Sequence, residues 1–300
     1  MIAAITIVVI MLVLLTVQGR SRNKKQTALP TGNITITATF YPLYIMLLNI
    51  TNAVPGVKVT MLAPPETGCL HDYQLTTKDM EAVSDCNILV ANGAGMEEFL
   101  DKILASRSAT TIVAADGYEL LNGNPHVWVS PEGAIYEVQT IVKGLARLDP
   151  KRADQYNING LIYIGKIKEL SSRMHAALDK YAGSAVITFH EAFPYFAAEF
   201  NLKPVAVIER EAGTTPNAKE LAKIVTIIRT RQKAGEPVYL FAEEQYSPEA
   251  ASIIAAETGL AVYELDPAVT GSPESDAYIK AMDQNTEVLE KAFSEGGLKK

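Results

Sequence analysis

The chain has 300 residues, 48% of them hydrophobic and 20% charged, a composition that excludes general disorder and a length sufficient for two domains of about 120 to 150 residues. A formal net charge of −7 excludes a general nucleic-acid binder, because phosphate neutralisation needs a concentrated basic face. The two cysteines, Cys69 and Cys86, are too few for a disulfide scaffold, and their spacing matches no zinc finger or Cys-x-x-Cys redox motif.

Residues Ile2 to Val17 form a nearly unbroken apolar run, short for a bilayer span but right for a signal h-region. Residues 1–30 therefore read as a signal or anchor plus linker of an exported protein, periplasmic or held on the outer face of the cytoplasmic membrane. No Lys or Arg precedes the run, whereas Arg20, Arg22, Lys24 and Lys25 follow it, against the positive-inside tendency. An uncleaved anchor of unusual orientation is the alternative.

After the polar linker Asn23–Asn33, short apolar runs alternate with amphipathic ones, the pattern of a parallel sheet flanked by helices. In residues 31–148, strands are predicted at Ile34–Thr39, Val57–Leu62, Ile88–Ala91 and Thr111–Ala114, and helices near Leu43–Asn52, Lys78–Ser84, Met96–Ala105 and Pro131–Arg147. Between Pro150 and Tyr181, Tyr156, Ile162, Tyr163, Ile167, Leu170, Met174 and Leu178 recur at three- and four-residue steps without an internal proline. Those steps predict one long linker helix within residues 149–182, about 30 residues and roughly 45 Å in length, which would restrain hinge motion. Residues 183–300 repeat the first pattern, with strands at Ala185–Phe189, Val205–Ile208, Val238–Phe241 and Ala261–Leu265. Their helices fall near Glu191–Phe200, Ala218–Lys233, Pro248–Thr258 and Ser275–Phe293. The fold class is α/β, with two lobes, each a mostly parallel four-stranded sheet flanked by helices, joined by one long rigid helix.

Three of the four histidines lie in separate loops: His71 in Gly-Cys-Leu-His-Asp-Tyr, His126 in Asn-Pro-His-Val-Trp and His190 in Thr-Phe-His-Glu-Ala-Phe. Ligands spread in this way converge only in the folded chain, as a metal site requires. His71 and His190 follow predicted strands, at the carboxyl edge where open parallel sheets place their ligand crevice, and His126 is placed comparably. Asp266, directly after the last strand, would add an oxygen to three nitrogens. Asp266 could instead cap its own turn, and Glu243 or Glu244 could supply the oxygen. His175 falls inside the long helix and is excluded. Trp128 and Tyr73 are expected to pack around the site, and Glu191 could accept a ligand imidazole's second ring proton.

These segments resemble the cluster A-I family, the solute-binding receptors that deliver zinc or manganese to ABC importers. The resemblance covers nearly all of the chain after the linker. It rests on Thr39-Phe-Tyr-Pro-Leu, Gly68-Cys-Leu-His-Asp-Tyr-Gln-Leu with Asp79, Asn92-Gly-Ala-Gly-Met-Glu, Asn124-Pro-His-Val-Trp-Val-Ser-Pro, Phe189-His-Glu-Ala-Phe-Pro-Tyr-Phe, and Glu257-Thr-Gly through Leu265-Asp-Pro. It implies two α/β lobes joined by one long helix, metal clamped in the cleft by His71, His126, His190 and Asp266, and docking on a membrane permease. The chain departs from the family in three places. Gly19 and Arg20 stand where a lipidated cysteine is expected, no histidine- and acid-rich loop follows His71, and Leu70 and Ser84-Asp85-Cys86 replace common family residues. Cys69 and Cys86 could pair in an oxidising compartment, the alternative being two buried free thiols.

Three imidazoles and one carboxylate suit Zn2+ better than calcium or magnesium, with Mn2+ the second ion. A zinc hydrolase would need an open coordination position and a general base. Asp266 is the expected occupant of that position, and neither His-Glu-x-x-His nor a Gly-x-Ser-x-Gly elbow is present. The expectation is therefore a monomeric, non-enzymatic receptor for a divalent metal ion, with no nucleic-acid partner. Cell adhesion is compatible with the same fold.

Overall fold

The computed structural model describes residues 32–70, 73–107, 110–208, 216–243 and 248–297. The first sheet contains β1 (Ile34–Ala38), β2 (Val57–Met61), β3 (Ile88–Ala91) and β4 (Thr111–Val113), and the second β5 (Ala185–Thr188), β6 (Lys203–Val207), β7 (Val238–Ala242) and β8 (Val262–Glu264). Every pairing is parallel. The strand orders are β2-β1-β3-β4 and β6-β5-β7-β8, so both sheets share one topology. All residues of β3 and β5 are buried, as expected of central strands covered by helices on both faces.

Around the first sheet lie α1 (Tyr41–Ile50), α2 (Thr77–Asp85), α3 (Asp101–Ser106) and α4 (Pro131–Leu148); α5 (Ala153–Leu178) links the halves; α6 (Pro194–Glu199), α7 (Ala218–Lys233), α8 (Pro248–Thr258) and α9 (Ala277–Glu295) complete the second half. The starts follow sequence chemistry. Thr76 with Asp79 and Asn217 with Glu220 form capping boxes at α2 and α7, while Ser130 caps α4 by accepting from the Gly133 N–H.

Two expected helices are shorter than the periodicity indicated. The run from Met96 becomes a 3-10 turn, Glu98–Leu100, followed by the short α3. Just before it, the Glu97 carboxylate folds the chain into a turn by accepting from Thr39 Oγ1 and the Asn92 and Gly93 N–H groups at 2.7, 2.7 and 2.9 Å. The helix expected from Glu191 starts at Pro194, because the residue before a proline is driven out of the helical region. Residues 190–193 are thereby left as a loop at the sheet edge.

The linker is one α-helix, Ala153–Leu178, with a 3-10 turn at each end, about 39 Å long at about 1.5 Å per residue. Tyr156, Tyr163, Ile167, Leu170, Met174 and Leu178 are buried as expected. Ile162, expected on the same face, is 56% exposed, since it sits about 100° from Tyr163 and off the stripe. One continuous core runs through both halves, from Ile36 and Trp128 to Tyr163 and Met282. Among the described residues no helix is long and apolar enough to cross a membrane, and residues 1–30, expected to be the signal or anchor, lie outside them.

The crossing of α5 over α4 is close: a Cβ on Gly160 would collide with Val142 Cγ2. Gly160→Leu should therefore cost about 1–3 kcal/mol through overpacking, read as a lower urea midpoint at unchanged slope. An unchanged midpoint would contradict this packing.

Candidate metal centre

The candidate residues emerge beyond carboxyl strand ends: Cys69 after β2, His126 after β4, His190 after β5, Glu243 after β7 and Asp266 after β8. The His126 segment is firmly held. A Cβ at Gly133 would run into the Val127 carbonyl, so the first turn of α4 lies directly against it. Trp128 is fully buried, packs edge-on against Phe40 at 5.0 Å and stands 5.2 Å from the His126 ring. Its Nε1–H donates to the Pro267 carbonyl at 2.9 Å, and the Tyr278 hydroxyl donates to the Trp128 carbonyl at 3.0 Å. The segment carrying the first-lobe histidine is thus bonded to the second lobe.

His126 and His190, each 1% exposed, meet Nε2 to Nε2 at 3.0 Å with their rings 84° apart. Cys69 Sγ lies 3.5 Å from His126 Nε2. The three ligand atoms, one sulfur and two nitrogens, all fall within 4.8 Å of one another. Asn124 sets the His126 tautomer. Its Oδ1 accepts from the His126 backbone N–H at 2.9 Å, while its Nδ2 donates to the Glu191 carbonyl at 2.7 Å, which fixes the amide's orientation. That oxygen lies 3.0 Å from His126 Nδ1 and can only accept, so Nδ1 carries the proton and the Nε2 lone pair points at His190 and Cys69.

Glu243 is 3% exposed; its Oε1 accepts from the His190 N–H at 3.2 Å, and Oε2 has no hydrogen-bond partner among the described residues. Burial pushes its carboxyl up to about 8, with the Asp266 charge adding to the rise and the His190 N–H opposing it. Burial thus disfavours the charged form of this carboxyl. Burial, and secondarily Glu243, also pushes the Cys69 thiol up.

Asp266 is not one of the three residues so grouped among the described residues. Its Oδ1 accepts from the Ala268 N–H at 2.7 Å, a local turn of the kind Asp-Pro forms, and Asn285 grips its backbone N–H and carbonyl at 2.8 and 2.7 Å. His71 and Glu244 lie outside the described residues. His175 is remote, bonded to Asp179 at 2.8 Å. Trp128 packs on His126 as expected, whereas the Tyr73 hydroxyl donates to Asp79 and its ring meets Phe99. Glu191 is exposed and contributes its carbonyl; the ring proton of His126 goes to Asn124 instead. The cysteines do not pair, because Cys86 Sγ donates to the Val83 carbonyl at the end of α2 while Cys69 faces His126. Asn124 and Cys69 are the residues that sequence reasoning missed, although each lies two positions before a histidine already singled out.

Sulfur, imidazole nitrogen and nearby carboxylate oxygen form a donor set suited to a borderline divalent ion such as zinc. A family model described as zinc-uptake complex component A, periplasmic (ZnuA), matches residues 36–292. The zinc-binding protein AdcA of Streptococcus pyogenes serotype M6 is 26% identical over 86% of this chain and 56% of its own length, so the chain spans about half of that relative. The high-affinity zinc uptake system protein ZnuA of Bacillus subtilis is 27% identical over 90% of this chain and 91% of its own length. Among solved structures, the SBP FpvC of Pseudomonas aeruginosa in complex with Mn2+ superposes with a TM-score of 0.78 at 27% identity, covering 88% of this chain and all of that one.

If Asn124 sets the His126 tautomer, Asn124→Ala should weaken zinc binding by about 10- to 100-fold, the usual effect of removing a ligand's hydrogen-bond partner. Competition against a chromophoric chelator measures this, and an unchanged affinity would remove Asn124 from the site.

Proposed function

The chain belongs to the family of periplasmic zinc-uptake components, and from that premise we propose that it captures a divalent transition-metal ion outside the cytoplasm, zinc foremost, and delivers it to a membrane ABC importer. The observation that carries this reading is the pair of buried imidazoles, one from each lobe, meeting at 3.0 Å. The ligand set of the reading is His71, His126, His190 and Asp266. Its lobes are residues 31–148 and 183–300, joined by 149–182, with residues 1–30 serving export or anchoring. The permease is the partner, the working state is a monomer, and no chemical step is involved. FpvC holding Mn2+ on the same fold keeps manganese as the second ion.

Each group has a role in capture. Asn124 holds the His126 ring so that Nε2 faces the incoming ion, and the neutral imidazoles present lone pairs. Their burial strengthens the attraction to a cation once water has left. The core that runs through both halves along α5 resists wide hinge opening, so capture involves a small tilt rather than a swing.

Offered equal zinc and manganese, the metal-stripped protein should take up one zinc per chain by native mass spectrometry, and His190→Ala should lose it. A preference for manganese would reverse the choice of ion, and no uptake of either would defeat the receptor. Protons compete with metal for imidazole, whose ordinary pKa is about 6.5, so affinity should be high near pH 7.5 and fall steeply towards about pH 5. Equal affinity at both values would speak against histidine ligation.

A further inference from the structure

We infer that Cys69 is itself a ligand of the captured ion, so that the site takes sulfur as well as nitrogen and favours a thiophilic ion such as zinc over manganese. The inference deepens the receptor reading and rests on it. No ligand is expected at position 69 from the resemblance, and the sequence offers this cysteine only as a candidate disulfide partner.

The distances carry the assignment. Zinc bonds of about 2.3 Å to sulfur and 2.0–2.1 Å to nitrogen, opened to the tetrahedral angle, hold the two donors about 3.5 Å apart. Cys69 Sγ and His126 Nε2 are separated by 3.5 Å, corresponding to an angle of about 107° at the ion. The 3.0 Å between the two Nε2 atoms corresponds to about 94°, a narrower angle that a bound ion would open slightly. Each of the two pairs therefore fits around one ion, and all three donor atoms lie within 4.8 Å of one another.

The surroundings are built for this. Leu70, fully buried in the core, pins the loop beside Cys69, and the Tyr73 N–H closes it onto the Leu70 carbonyl at 3.0 Å. From the second lobe, Glu243 brings a buried carboxyl whose Oε2 has no hydrogen-bond partner among the described residues. A thiol, two buried imidazoles and a buried carboxyl thus stand together beyond the strand ends, where a cation would meet donors from both lobes.

On binding, the Cys69 S–H bond breaks heterolytically, the sulfur pair forms the bond to the ion, and the proton leaves to solvent. Thiolate selects zinc-like ions, whereas manganese prefers oxygen donors. An all-nitrogen and oxygen site would discriminate between the two less.

Cobalt(II) reports sulfur directly, because a coordinated thiolate gives a near-ultraviolet charge-transfer band that nitrogen and oxygen ligands do not. The full chain, metal-stripped and loaded with one cobalt, should show this band, as should Cys86→Ala, whereas Cys69→Ser should bind cobalt without it. Cys69→Ser should also lower the zinc-over-manganese affinity ratio by about tenfold or more. One cobalt bound to the unmodified protein with no charge-transfer band would overturn the assignment and leave the receptor reading intact, whatever the stability of the variants. A band that survives in Cys69→Ser would do the same. Failure of the unmodified protein to bind cobalt or zinc at all would overturn both.

Discussion

Two buried imidazoles carried by loops of different sheets meet at 3.0 Å, and the rest of the structure depends on holding that contact. Burying a polar ring is costly unless its nitrogens are partnered. Here one partner is local, Asn124 for His126 Nδ1, and the others come from distant segments, the facing histidine and Cys69 for Nε2. A contact between residues 64 positions apart survives only if both loops are held to fractions of an ångström. Trp128 supplies much of that precision, since its indole fills the core beside His126 while its N–H reaches the Pro267 carbonyl next to Asp266. The same strut links the first-lobe histidine to the second-lobe loop that carries the candidate oxygen ligand.

Topology explains why the donors lie where they do. Both sheets run in the same order, with every strand parallel, so the carboxyl ends of all strands in each sheet fall along one edge. Loops at that edge are free of ladder hydrogen bonds and can present side chains. Pro194 delays α6 and Glu97 tightens the turn after β3, and both keep backbone at the edge irregular where a helix would otherwise begin. The linker α5 packs against helices of both lobes, fixing their relative position through one uninterrupted rod.

The buried acids divide according to how they are satisfied. Burial raises the Glu97 carboxyl, three accepted hydrogen bonds oppose that rise without cancelling it, and the residue serves as a structural brace. Glu243 has one such bond and an oxygen without a partner among the described residues. Glu137, on α4 and fully buried, has neither oxygen bonded among the described residues; burial, with the Glu97 charge behind it, pushes its carboxyl well above the usual range. Of the three, only Glu243 adjoins the histidine pair, where burial disfavours its charged form.

Strand positions, the alternation of strand and helix, the long linker and the strand-end placement of His126, His190 and Asp266 were legible in the sequence. Each follows from a short-range rule: hydrophobic period, capping chemistry, or the place of loops in a parallel sheet. The shortened helix at Glu98 was not legible, because tertiary hydrogen bonds to Glu97 decided it, whereas the late start at Pro194 and the outward turn of Ile162 follow from local rules, the restriction before proline and the 100° step of the helix. The site divides in the same way. Histidine is chemically conspicuous wherever it falls, so His126 and His190 could be singled out from residue identity and Glu243 weighed beside Asp266 as an oxygen donor, whereas Cys69 and Asn124 carry no such mark. Their involvement depends on which donor atoms finish within a few ångströms of one another after 300 residues fold, and that distance is set by packing across two lobes rather than by any local pattern.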